Sequence, residues 1–273
     1  MNNELISVVM SAYNEKGNWF IKSIESILNQ TYKNIELIVF IDNPKNNELI
    51  EIAQRYEKKD KRIKLIINEK NKGLVYCLNK GIELSNGRFI ARMDADDISE
   101  LDRFEKQFNY LNLNPECILV GSQMKLIDEE DKCMVNNISF PIENKKIKKM
   151  LKLTNTFCHP SILFIKDYVV EIGGYRDIAY AEDYDLITRI VINGGKIANI
   201  NEKLINYRVR KNGICQSNLN TQRQSEKYIK NNFKKRKIDN IKTYRQDFDL
   251  KFNENFKRKI DRLVYRILTF LHF

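Results

Sequence analysis

The stretch RFIARMDADDISELDRFEKQ, residues 88–107, runs from an apolar segment straight into Asp94, Asp96 and Asp97 and then into a helical pattern. Carboxylates this close repel one another, and removing them from water costs more unless a cation or hydrogen-bond donors compensate. If the chain stays extended past Asp94, Asp94 and Asp96 project to the same side. Hard divalent cations such as Mg²⁺ or Mn²⁺ take oxygen ligands and are commonly held by one or two carboxylates together with substrate phosphates. The other reading is local: Asp97 or Ser99 caps a helix beginning near residue 100, with Ser99 and Asp102 resembling a capping box.

Upstream, the apolar runs LISVVMSA, IELIVFID and IKLIIN alternate with helical patterns in NWFIKSIESILNQ, NNELIEIAQRYEKK and GLVYCLNKGIELS, and CILVGS follows downstream. Strands separated by helices of this length predict βαβ units and an α/β fold with a Rossmann-like, mostly parallel sheet flanked by helices. Ligands of such sheets collect beyond the carboxyl ends of the strands. Those ends carry Tyr13, Asn14 and Glu15 after the first strand, Asp42 after the second, and Asp94 to Asp97 after the fourth. A carboxylate at Asp42 can accept the N3–H of uracil or thymine, and Tyr13 can stack beside the base. Ordinary turn chemistry is the competing account of both clusters. Gly73, opening a helix, is a candidate for seating phosphate on helix N–H groups.

The second half is less regular. IENKKIKKMLKL reads as a helix, SILFIK as a strand, AEDYDLITRIVING as a helix ended by Gly194 and Gly195, and KIANINEKLINYRVR as a strand or hairpin. Asp183, at or near a helix start, fits either an N-cap or a general base beside an acceptor hydroxyl, with Glu182 and Asp185 as neighbouring competitors. His159 and the pair Arg208 and Arg210 are candidates for acceptor or diphosphate contacts, against a structural histidine and a solvated strand face.

The net charge of +11 is unevenly spread. Residues 1–200 carry 28 basic and 29 acidic side chains, whereas 201–273 carry 19 and 7, so the whole excess lies in the last quarter. In NFKRKIDRLVYRILTFLHF, apolar residues from Phe256 to Leu271 fall at helical spacing with lysines and arginines mostly opposite. That pattern fits a helical basic C-terminal tail on an anionic membrane surface, or a helix packed on protein. The start lacks a signal-peptide pattern and no run is apolar enough to span a bilayer, so the expectation is a cytoplasmic protein, peripheral at the inner face of the cell membrane. Five scattered cysteines without a CxxC pair, and only two histidines, support neither a disulfide framework nor a zinc site. No GxxxxGK[ST], GxGxxG, GxSxG or HExxH occurs. A sugar nucleotidyltransferase would be expected to carry a glycine-rich basic loop after the first strand, where only Gly17 stands. A nucleic-acid-binding module would use the basic tail but leaves the acidic edge unexplained, so no nucleic acid is expected.

Taken in order, ISVVMSAYNE, IELIVFID, NKGLVYCLNKGIELSNGRFIARMDADD, HPSILF, GGYRD, AEDYDLITRI and LINYRVR closely resemble family 2 glycosyltransferases of the GT-A fold, in particular bacterial enzymes of surface-polysaccharide synthesis. The resemblance covers about residues 4–212 and implies a nucleoside-diphosphate sugar as donor, a glycan or lipid-linked acceptor, and Mn²⁺ or Mg²⁺. It implies that Ala12, Tyr13, Glu15 and Asp42 contact the nucleoside, that Asp94 is the first acid of the DXD motif near the ribose and metal, that Asp96 binds the metal, and that Asp183 is the catalytic base. The expected division is residues 1–97 as the donor subdomain and 98–215 as the acceptor and base subdomain, with 216–273, outside the resemblance, as the basic amphipathic helical tail. Ser11 and Ala12 stand where the family usually has Pro before Tyr-Asn, and IDNPKNN stands where it usually has DDGSTD.

Overall fold

The structure is a computed structural model that describes residues 4–135, 138–210 and 218–238. The first 94 residues alternate as expected: β1 (Ile6–Ala12), α1 (Gly17–Leu28), β2 (Ile35–Ile41), α2 (Asn47–Lys59), β3 (Ile63–Ile67), α3 (Leu74–Leu84) and β4 (Phe89–Asp94). β1 pairs in parallel with β2 and with β4, and β2 pairs in parallel with β3. The chain continues through β5 (Ile98–Ser99), α4 (Arg103–Leu113), β6 (Cys117–Ile127), β7 (Cys133–Val135), α5 (Asn144–Met150), a 3₁₀ turn at His159–Ser161, β8 (Leu163–Ile165), α6 (Lys166–Glu171), α7 (Glu182–Ile192), β9 (Lys196–Arg208) and α8 (Leu219–Lys235). One sheet, ordered β3-β2-β1-β4-β8-β6-β9-β5 with β7 beside β6, runs through both halves. The long pairings are parallel, β6 with β9 included, while the short β8 is antiparallel to both β4 and β6.

Alternation along β1 explains why the sheet is covered twice. Ile6, Val8, Met10 and Ala12 belong to one buried cluster with Phe20, Ile24 and Ile27 of α1 and Phe104 and Phe108 of α4. Val9 belongs to a second, with Leu78 of α3, Ile187 and Ile190 of α7, and Phe233 of α8. Side chains of opposite parity point to opposite faces, and a strand buried on both reads as a continuous apolar run.

The capping-box reading of Ser99 and Asp102 does not hold. Ser99 lies in β5 opposite Ile205, and α4 begins only at Arg103, with Asp102 at its N-cap accepting no backbone N–H of the helix through its side chain. Asp97, the other candidate cap, instead accepts the Arg208 N–H at 2.7 Å. Cys77, Cys117, Cys133 and Cys158 are free thiols, all buried except Cys133. Cys215 and the amphipathic stretch 256–271 lie outside the described residues. No helix among the described residues is long and apolar enough to cross a membrane.

Gly81 lets α3 approach β1, since a Cβ there would meet Val9 Cγ1 at 2.4 Å. Alanine favours a helix over glycine by about 1 kcal/mol, but overpacking costs about 1–3 kcal/mol. Gly81→Ala is therefore expected to lower the urea-unfolding free energy, and a variant at least as stable as the parent would contradict this packing.

Candidate active site

The strand ends converge at one edge. β1 closes on buried Ala12 and leaves Tyr13 exposed, and the Tyr13 N–H donates to Glu15 Oε2 at 2.6 Å. Asp42, directly after β2, is buried and accepts from Asn68 Nδ2 at 2.7 Å and the Lys72 N–H at 2.8 Å on Oδ1, and from the Gly73 N–H at 2.8 Å on Oδ2. The amide of Gly73 is thus directed at Asp42 rather than toward an open phosphate position. Its φ of 87° is one that glycine adopts without strain.

At the end of β4, Asp94 lies across from Ser11, and Asp94, Asp96 and Asp97 bring one carboxylate oxygen each within 4.8 Å of one another. Three arginines surround them. Arg92, two residues before Asp94 and so on the same pleat face, is buried and ion-paired with Asp94, while its Nε and Nη1 have no hydrogen-bond partner. Burial acts against its charge, but Asp94 outweighs this and holds the Arg92 pKa above its ordinary value. Arg208 is committed inside: its N–H donates to Asp97 Oδ1 at 2.7 Å, its Nε to the Asp96 carbonyl at 2.8 Å and its Nη1 to the Asp128 carbonyl at 2.8 Å. It also pairs with Asp131 at 2.6 Å and stacks 5.0 Å from the Trp19 ring. The structure therefore gives Arg208 a bracing position, neither a solvated face nor a free diphosphate contact. Arg210 Nε lies 2.9 Å from Asp96 Oδ2, and its Nη1 lies 3.6 Å from Glu15 Oε1.

These cations do not satisfy the cluster. Asp97 Oδ2 is buried with no hydrogen-bond partner. Burial and the charge of Asp94 push Asp96 up to about 7, with Arg210 opposing. Burial and then Asp96 push Asp97 well above the carboxylate range. An orphaned buried oxygen among three convergent carboxylates is a donor set that fits a hard divalent cation.

A second acidic pair opens α7. The N-cap is Ala181, so Asp183 is not the cap; its Oδ1 accepts the Tyr184 N–H at 2.6 Å, and its Oδ2 accepts from Asn155 Nδ2 at 2.7 Å. Burial raises Asp183 to about 6 and, with help from Asp183's charge, Glu182 to about 7. Glu182 Oε1 stands 3.9 Å from His159 Nδ1, and His159 Nε2 lies 3.1 Å from the Tyr175 hydroxyl. Burial, then the nearby Arg92, holds the His159 pKa well below the usual imidazole value, so the ring is neutral near pH 7. Asp185 drops out as a competitor because it is buried between Arg176 and Arg189. The sequence reading missed Arg92, Asn155 and Tyr175. Strand parity with Asp94 was the available signal for Arg92, whereas nothing in LTNTFCHP singles out Asn155.

Residues 7–173 match the family model for glycosyl transferase family 2. The chain belongs to glycosyltransferase family 2. It is 34% identical over 240 residues to the O-antigen biosynthesis glycosyltransferase WbnJ of Escherichia coli, covering 87% of this chain and 92% of the relative. In fold it is similar to the mannosyltransferase PcManGT from Pyrobaculum calidifontis, solved in complex with GDP-Man and Mn²⁺, at TM-score 0.66 and 15% identity over 86% of this chain and 65% of that one. It is likewise similar to S. aureus TarS 1-349 in complex with UDP-GlcNAc, at TM-score 0.63 and 15% identity over 78% of this chain and 60% of that one. The fold of this family 2 enzyme is GT-A.

Asp96, Glu182 and Asp183 have pKa values raised above those of an unfolded chain, so between about pH 4 and 7 the folded state binds more protons and stability falls as pH rises. The lowered Glu36, Asp60 and Asp131 work the other way, but their change is complete below about pH 5, and His159 offsets only part. In EDTA the melting temperature should therefore fall between about pH 5 and 8, and Glu182→Gln should flatten that fall. A melting temperature that rises across the interval would contradict the recessed placement of these acids.

Proposed function

We propose that this enzyme moves a sugar from a nucleoside diphosphate, with UDP favoured, to a hydroxyl of a glycan or lipid-linked glycan in bacterial surface-polysaccharide assembly, inverting the anomeric configuration. The observation that carries this is the pairing at one sheet edge of two acid sets with different demands: the crowded Asp94, Asp96 and Asp97, and the hydrogen-bonded Asp183. Relatedness to an O-antigen enzyme supports the polysaccharide setting.

Residues 1–97 form the donor side. Tyr13, exposed at the end of β1, stacks on the base, Ala12 and Glu15 contact the nucleoside, and Asp42 accepts the N3–H of uracil through Oδ2, which holds one hydrogen bond against two on Oδ1. Asp96, beside Asp94 at the DXD position, would hold Mn²⁺ or Mg²⁺. Bound there, the ion supplies positive charge for the leaving diphosphate without a proton transfer.

Residues 98–215 form the acceptor and base side. An alcohol is a poor nucleophile near pH 7, so a carboxylate must take its proton as the bond to the anomeric carbon forms. Asn155 and the Tyr184 N–H hold Asp183 in one orientation, and with a pKa near 6 it is largely ionised at neutral pH yet basic enough to accept. Attack from the side opposite the leaving group inverts the centre. Glu182, adjacent in sequence to Asp183, stands 3.9 Å from the neutral His159 imidazole, and both are offered to the acceptor or the diphosphate. The basic tail at 216–273 attaches the enzyme peripherally to an anionic membrane face.

Asp183→Asn is expected to reduce transfer by about 10²–10⁴-fold while nucleotide binding, read by calorimetry, is kept; near-normal transfer would remove Asp183 from this role. Asp96→Ala should instead abolish the Mn²⁺-dependent part of donor binding. A thermal-shift panel of UDP, GDP, dTDP and CMP sugars, with and without Mn²⁺, should give its largest metal-dependent shift with UDP, and a larger shift with GDP would overturn the assignment to Asp42.

A further inference from the structure

Helix α5 and the turn after it form a surface that the reaction does not use. Lys145, Lys146, Lys148, Lys149 and Lys152 crowd this short stretch, although residues 1–200 as a whole, these five included, are nearly balanced at 28 basic and 29 acidic side chains. Lys146 pairs with Glu143 at 3.3 Å, and among the described residues no carboxylate lies within ion-pair distance of the other four. The helix is anchored inward by Ile147 and Leu151, both fully buried. That orientation turns the lysines outward, all exposed except half-buried Lys148, together with two apolar tips: Met150, 39% exposed, and Leu153, 62% exposed.

The position of this face matters as much as its composition. Two residues after Leu153, Asn155 donates to Asp183, and the Tyr184 hydroxyl reaches back to the Leu151 carbonyl. The cationic, apolar-tipped turn therefore leads directly into the residue that orients Asp183. Exposed lysines without acidic partners gain from a negative surface, and apolar tips between them gain from entering the acyl boundary while the long lysine stems keep their ammonium groups at the headgroups. A merely solvated face has no use for the second feature.

We propose that α5 and its following turn are the docking face for an anionic phospholipid bilayer, setting the base pocket against the headgroup layer where an amphiphilic acceptor presents its hydroxyl. This rests on Asp183 being the base. The basic tail is then a second attachment, and α5 fixes the orientation.

The test uses the full chain with Leu153→Trp, and separately Met150→Trp. Trp19 is the only native tryptophan and is buried, so the parent protein serves as the blank. Emission is recorded with vesicles whose acyl chains carry bromine quenchers, made either of phosphatidylcholine or of phosphatidylcholine with phosphatidylglycerol. Quenching of either introduced tryptophan by the anionic vesicles only is the expected result. Leu113→Trp, on α4 across the sheet, should stay unquenched. Lys145→Gln combined with Lys149→Gln and Lys152→Gln should raise the lipid concentration needed by about tenfold or more. Unchanged emission of both variants while the protein co-sediments with anionic vesicles would overturn the proposal and leave the tail as the sole attachment. No vesicle binding, or equal quenching by phosphatidylcholine alone, would overturn it as well. Failure of the catalytic reading shows separately, as near-normal transfer by Asp183→Asn, whatever the vesicle result.

Discussion

Three carboxylates, Asp94, Asp96 and Asp97, approach within 4.8 Å where β4 leaves the sheet, and much of the surrounding structure is arranged around their repulsion. Arg92 is buried beneath Asp94, the backbone and side chain of Arg208 clamp Asp97 and the Asp96 carbonyl, and Arg210 lies against Asp96. Two of these cations come from the end of β9, more than a hundred residues later in the chain, so the last long strand is tied to the fourth by charge as well as by β5. Even so, a buried Asp97 oxygen is left without a partner, and Asp96 is pushed up to about 7. Protein groups alone leave one buried oxygen of the cluster unpartnered, and the donor set is of the kind that fits a divalent ion.

Arg92 links this cluster to the second acidic pair. It draws the pKa of both Glu182 and Asp183 downward against burial, and it helps keep His159 neutral. The two acidic groups thus share one buried cation, although they come from separate parts of the chain. Asn155 adds a neutral donor to Asp183, which orients the carboxylate without fixing its charge as a second arginine would.

The parallel half of the sheet was legible because its strands are buried on both faces and separated by helices of ordinary length, and the polar clusters at its edge followed from the strand ends. Asp183 was visible as an acid at a helix start. Which acid of Glu182, Asp183 and Asp185 is enclosed by arginines was not, because that depends on Arg176 and Arg189 closing on Asp185. Gly73 and Arg208 were readable as residues but not in their bonding: backbone geometry turns the Gly73 amide to Asp42, and the 128–131 turn, docked on α1 through Lys16 and Lys22, encloses Arg208. Asn155 depends on packing in an irregular segment with no period to read, whereas α5 was legible as a helix and the burial of Ile147 and Leu151 settles which face its lysines take.

The most direct measurement is anomalous diffraction from a crystal grown with Mn²⁺ and a UDP-sugar. The account predicts a manganese peak coordinated by Asp96, close to Asp94 and Asp97, with the diphosphate on its open side. A peak elsewhere, or a bound nucleotide with the three carboxylates closed only around Arg210, would contradict it.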